Sequence, residues 1–187
     1  VSHTVNIIGM GESSVAEEIE DMFDAKNPTV APYAKSGEVR LRITAKAETA
    51  DEADKMCAPV VDEICSRLGD VVYGTDMNSI EERVVALLKE KGKKIATAES
   101  CTAGYIPKRL TDIPGASEVF ECGIVSYSND IKTKLIGVSP KTLETYGAVS
   151  EQTAREMALG AKHVSGADIA ISTTGLAGPG GDGVLPG

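Results

Sequence analysis

Apolar and polar positions follow two different periods along this chain, and the change of period divides it. Over residues 4–8, Val5, Ile7 and Ile8 predict a strand, and Gly9-Met10-Gly11 then turns into a helix over about 14–23. Asn27-Pro28 opens a second extended piece over 29–34. Ser36-Gly37 is a hairpin signal before residues 39–44, where Val39, Leu41 and Ile43 alternate with Arg40 and Arg42, so one face is buried and the other wet. Residues 49–68 carry the period of an amphipathic helix, and 71–73 return as a short strand. The order β-α-β-β-α-β predicts one small α+β layer pair.

Residues 74–78 read as a linker, after which strands and helices alternate. Ser79 caps a helix over 80–91, with Glu81 and Glu82 in its first turn. Strands over 94–98, 120–127 and 167–172 are separated by helices over 101–111, 129–136 and 151–164, and Ser139-Pro140 starts one more. That alternation predicts an α/β domain with a mainly parallel sheet. The expected division is a first domain over 1–77 and a second over 78–187.

Composition narrows the reading. With no Trp and two Phe, the core must be built from aliphatic residues and alanine. Cys57, Cys65, Cys101 and Cys122 include no CxxC pair, and with two histidines they make no zinc cluster, so no zinc site is expected. Reduced thiols and a cytoplasmic location fit best. No apolar run approaches twenty residues, so no membrane span is expected. The net charge of −9 is uneven: residues 1–77 hold 7 Lys+Arg against 15 Asp+Glu, and residues 78–187 hold 12 against 13. Nucleic-acid binding needs a basic surface to neutralise phosphates, and the acidic first part argues against it.

The candidate chemistry lies in KKIATAESCTAG (93–104) and GIVSYSNDIK (123–132). Each reads as a strand emptying into a helix, with Ser100 at one N-cap and Lys132 in the first turn of the other helix. Parallel strands bring such junctions to one sheet edge, where the serine and lysine meet. Alone, each residue is ordinary, since a serine there is usually only a cap and a first-turn lysine is usually solvated. Together they suggest more. The positive end of a helix and partial burial both push a lysine pKa down. A lysine ready to lose its proton suits a serine nucleophile where histidine is scarce, and only His3 and His163 are present. Free N–H groups following Ser100 would form an oxyanion hole. Glycines 175, 178, 180, 181 and 183 leave N–H groups open as an anion-binding nest, although no Gly-Lys-Ser/Thr follows as in a Walker A loop.

TAESCTAG (97–104), YSNDIK (127–132), GAVS (147–150) and TGLAGPGG (174–181), in that order, resemble the carboxyl-terminal domain of the CinA family, which is similar to stand-alone nicotinamide mononucleotide amidohydrolases. IIGMGES (7–13) and residues 27–47 resemble the family's KH-like middle module. No GXXG loop occurs in residues 1–77, so the KH-like fold is expected without RNA binding. The resemblance implies hydrolysis of the carboxamide of nicotinamide mononucleotide, giving nicotinic acid mononucleotide and ammonia, with no cofactor. It implies Ser100 as nucleophile, Lys132 as general base and Tyr127 as a hydroxyl supporting the lysine, with no metal required. Thr102, Thr174, Gly175, Gly178, Gly180 and Gly181 would contact a small-molecule nucleotide. Relatives suggest a homodimer.

Where many relatives have SCTGG this chain has SCTAG, and Ala103 is small enough that little effect is expected. The resemblance also implies an arginine well beyond the glycine-rich loop, so these 187 residues by themselves are expected to be inactive or very weakly active, and both ends read as cuts in a longer polypeptide. The alternative is a nucleotide-binding, regulatory part of a larger protein with ADP-ribose pyrophosphatase activity. Another alternative makes Cys101 the nucleophile.

Overall fold

The structure is a computed structural model that describes residues 1–35 and 37–180. The chain divides into two compact units, the first running from Val1 to Arg83 and the second from Val84 onward.

The first unit is a KH-like α+β module. It contains β1 (Ser2–Ile8), α1 (Glu12–Glu18), β2 (Thr29–Lys35), β3 (Glu38–Thr44), α2 (Ala50–Leu68) and β4 (Val72–Thr75). The strands form an antiparallel sheet in the order β2-β3-β1-β4. The alternation in β3 pays out as expected, with Val39, Leu41 and Ile43 buried and Arg42 exposed. Thr49 and Glu52 cap α2 reciprocally, each side chain meeting the other residue's backbone N–H. Ala53, Cys57, Ile64 and Leu68 of α2 pack with Val5, Ile7, Leu41 and Ile43 of the sheet. The helix predicted over 14–23 is shorter: α1 ends at Glu18, and a 3-10 turn over Glu20–Met22 follows. At Ile19 the backbone leaves helical geometry with its side chain fully buried, which breaks the run.

The second unit is α/β. It holds α3 (Ile80–Glu90, whose first turns lie in the first unit), β5 (Ile95–Glu99), α4 (Tyr105–Thr111), β6 (Phe120–Val125), α5 (Asn129–Ile136), α6 (Pro140–Tyr146), α7 (Glu151–Ser165) and β7 (Ile169–Thr173). The three strands pair in parallel in the order β6-β5-β7. All five residues of β5 are buried, as a central parallel strand requires. Alternation divides its side chains. Ile95 joins Val85, Leu88 and Leu110 on the face carrying α3 and α4, whereas Ala96 and Ala98 join Ile136, Val138, Met157 and Ala161 on the face carrying α5 and α7. The chain leaves β5 for β6 on one side and returns from β6 to β7 on the other. The strand order therefore reverses at β5, and a ligand crevice is expected beyond the carboxyl end of such a strand.

Candidate active site

Ser100 follows Glu99, the last residue of β5, and its 8 % exposure leaves it nearly buried. Its register position is held from both sides. The Ser100 N–H donates to Thr173 O at 3.0 Å, and Ser126 N–H donates to Glu99 O at 2.8 Å. Continuing the β5 alternation, Ser100 falls on the face of Ala96 and Ala98, where α5 packs.

Ser128 caps α5, its hydroxyl accepting from Ile131 N–H, so that Lys132 ends the first turn. Lys132 is 1 % exposed, and its Nζ lies 3.1 Å from Ser100 Oγ. The same nitrogen donates to Ser126 O and Tyr127 O, both at 3.0 Å. Among the described residues no carboxylate is paired with this amine. Burial pushes the Lys132 pKa below the ordinary lysine value, partly opposed by the nearby Cys101 thiol. The expected direction is present, and desolvation is its main cause. In the neutral form the two carbonyls take both N–H groups, which leaves the nitrogen lone pair facing the serine hydroxyl.

The turn after Ser100 differs from the expectation. The predicted helix over 101–111 begins at Tyr105, because Ala103 (φ 49°) and Gly104 (φ 96°) both take left-handed conformations and hold residues 101–104 in a turn. Ser100 is therefore not the N-cap of α4; that position belongs to Gly104. Two of the four amides of the turn, and the first two of α4, are occupied. Ala103 N–H donates to Ser100 O, Tyr105 N–H to Thr102 O, and the amides of Gly104 and Ile106 to Glu99 Oε2. The amides of Cys101 and Thr102 take part in none of these bonds.

Tyr127 also sits differently. Strand β6 ends at Val125, two residues before it, and Tyr127 is 74 % exposed. It reaches Lys132 through its carbonyl oxygen instead of the predicted hydroxyl. Thr102 Oγ1 lies 2.6 Å from Thr173 Oγ1, and Thr174 Oγ1 donates to Ala148 O at 2.6 Å, so both hydroxyls tie the strand exits to their neighbours. Gly175 lies against the turn, since a Cβ there would stand 3.3 Å from Cys101 Sγ. Gly178 and Gly180 are exposed, and Gly180 borders open space. Gly181 lies outside the described residues. Glu99 was not singled out by motif reasoning; the signal was an acid closing a buried apolar run.

A parallel sheet with a buried serine–lysine pair beyond its central strand, preceded by an acidic KH-like module, defines a two-unit α/β protein. The family model for the CinA C-terminal domain matches residues 77–186, and that for the CinA KH domain matches residues 2–74. The chain belongs to the CinA family. A relative from Clostridium beijerinckii, named for competence-damage induction, is 57 % identical over 180 residues. The match takes in 96 % of this chain and 44 % of the relative. A CinA-like protein of Desulfovibrio desulfuricans is 50 % identical, with 96 % and 42 % covered. The chain thus spans less than half the length of these curated relatives. A CinA superfamily protein from Klebsiella pneumoniae has a crystal structure that matches with a TM-score of 0.56 at 36 % identity. That match takes in 57 % of this chain and 68 % of the other. The Agrobacterium tumefaciens competence/damage inducible protein CihA gives 0.53 at 47 % identity, with 55 % and 62 % covered.

Proposed function

We propose that the second unit carries a serine–lysine amidohydrolase site that converts nicotinamide mononucleotide into nicotinic acid mononucleotide and ammonia. The observation that carries this reading is the 3.1 Å approach of a buried lysine amine, without a carboxylate partner among the described residues, to the Ser100 hydroxyl. A neutral amine at that distance is placed to act as general base.

Ser100 Oγ attacks the carboxamide carbon while its proton passes to Lys132 Nζ. The Cys101 and Thr102 amides, which are not spent on the turn, face the developing oxyanion. The C–N bond breaks, and Lys132 returns the proton to the departing ammonia. Water, deprotonated by the same amine, then cleaves the Ser100 ester and releases the carboxylic acid. Tyr127, exposed at the same strand exit, and the glycines from 175 onward belong to the substrate side of this scheme. Neither metal nor cofactor enters it.

The test is ammonia release from nicotinamide mononucleotide by the full-length protein, with Ser100→Ala and Lys132→Ala alongside. Each variant is expected to lose about 10³-fold in kcat, in the range of a removed acid–base group, while still binding the nucleotide. Binding by the parent without turnover would favour a non-catalytic regulatory module. Turnover that persists in Ser100→Ala and is stopped by thiol alkylation would move the nucleophile to Cys101.

A further inference from the structure

The Glu99 carboxyl group is fully buried on the face of β5 opposite Ser100, at the root of the turn that presents the nucleophile. Its Oε2 accepts from Gly104 N–H at 3.2 Å and Ile106 N–H at 3.3 Å, at the far end of the 101–104 turn and in the first turn of α4. Its main-chain oxygen accepts from Ser126 N–H, beside the carbonyl that holds Lys132. One residue therefore touches β6 through its backbone and the nucleophile turn through its side chain. Its other oxygen, Oε1, is buried with no partner among the described residues, as is the Thr97 hydroxyl on the same face of the strand.

A polar group kept buried with half its hydrogen-bonding capacity unmet is costly, and a strand end has cheaper ways to start a helix. What the arrangement supplies is rigidity where the backbone is least comfortable. Ala103 and Gly104 both sit at positive φ, and a turn in that conformation needs an external clamp to stay in one geometry. By binding the amides of Gly104 and Ile106, Glu99 fixes the turn at its far end, while the Cys101 and Thr102 amides have no acceptor among the described residues.

We infer that Glu99 is a positioning residue for the nucleophile: its carboxyl acts as a hydrogen-bond acceptor that clamps the 101–104 turn, so that Ser100 and the Cys101 and Thr102 amides meet the reacting carbonyl in one geometry. This rests on the amidohydrolase reading above. The side chain does not touch substrate; it acts through the turn.

The experiment compares Glu99→Gln, Glu99→Asp and Glu99→Leu in the full-length protein, with Ser100→Ala as the control and nicotinamide mononucleotide as the substrate. Glutamine keeps an acceptor at the same reach, so kcat should stay within about threefold of the parent. Aspartate is one methylene too short for both amides, and leucine has no acceptor. Each should lower kcat tenfold or more while KM stays within threefold and the acid limb of the pH profile, set by Lys132, does not move. Should the leucine variant fail to fold, the glutamine–aspartate pair decides the matter. Equal losses in the glutamine and aspartate variants, or parent kcat in the aspartate variant, would overturn the role of Glu99. Full activity in Ser100→Ala would instead bring down the amidohydrolase reading itself.

Discussion

Burial costs an ammonium group far more than an amine, and among the described residues Lys132 meets that cost with two carbonyl oxygens and a hydroxyl as hydrogen-bond partners. Its lowered pKa has a definite sign in catalysis: below it the amine is protonated and cannot accept the Ser100 proton. The kcat/KM profile should therefore rise with pH through the Lys132 pKa and level off before the ordinary lysine range, as the rate of ammonia release against pH would show. Stability follows the same direction, because the unfolded chain binds the extra proton until its ordinary lysine value is passed. Ala103 makes a second test at this scale. Its small side chain suggested little effect, but it stands exposed at φ 49°, where a Cβ is disfavoured by roughly 1 kcal/mol. Ala103→Gly should raise the denaturation midpoint of the second unit, and a lower midpoint would contradict the strained turn. The Ser100–Lys132 meeting was legible in the sequence, because strand alternation and the Ser128 cap determine both positions. The amides of the turn and the clamp at Glu99 were not, because they depend on two successive left-handed residues that no periodicity announces.

At the scale of elements, the position of Lys132 depends on how closely α5 meets α7. Gly160 of α7 makes that approach possible: a Cβ there would lie 1.9 Å from the Ile136 carbonyl oxygen at the end of α5. Gly160→Ala must push α5 aside, at about 1–3 kcal/mol for overpacking, and should lower both the unfolding midpoint and kcat. A variant with the parent midpoint would contradict this packing. The helix boundaries show what sequence reads well and badly. Residues 129–136 were predicted and found as α5, since Ser128 and Gly137 supply a side-chain cap and a left-handed stop. Helix α4 was placed four residues too early, since nothing in Cys101-Thr102-Ala103 signals a turn. In the first unit, His3 of β1 bonds Asp54 of α2 and Asp76 after β4. The hydrogen bond to Asp76, then that to Asp54, raise its pKa. A raised folded value means this contribution is complete below the unfolded histidine value and is lost as pH climbs through the folded one. These groups are partly exposed, so the effect stays within about 1 kcal/mol. Thermal melts should show a small fall in first-unit stability above neutral pH that is absent in His3→Gln.

For the whole molecule, fold class was the most legible property. An antiparallel α+β module and a parallel α/β unit follow from the two periods of the chain, and the family comparisons agree with both. The module's 7 basic against 15 acidic residues leave a KH-like fold with the wrong charge for phosphates. Electrophoretic titration with single-stranded RNA at physiological salt should therefore show no complex with the full-length protein, and salt-dependent binding by the first unit would contradict that. No helix among the described residues is long and apolar enough to cross a membrane. Catalysis by the Ser100–Lys132 pair depends on one proton. An NMR titration of the Lys132 ε-amine in the intact protein, with Lys132→Arg to assign the signal, should find it losing its proton below the ordinary lysine value of 10.5. Titration at or above that value would leave the amine charged at working pH and unable to take the proton from Ser100.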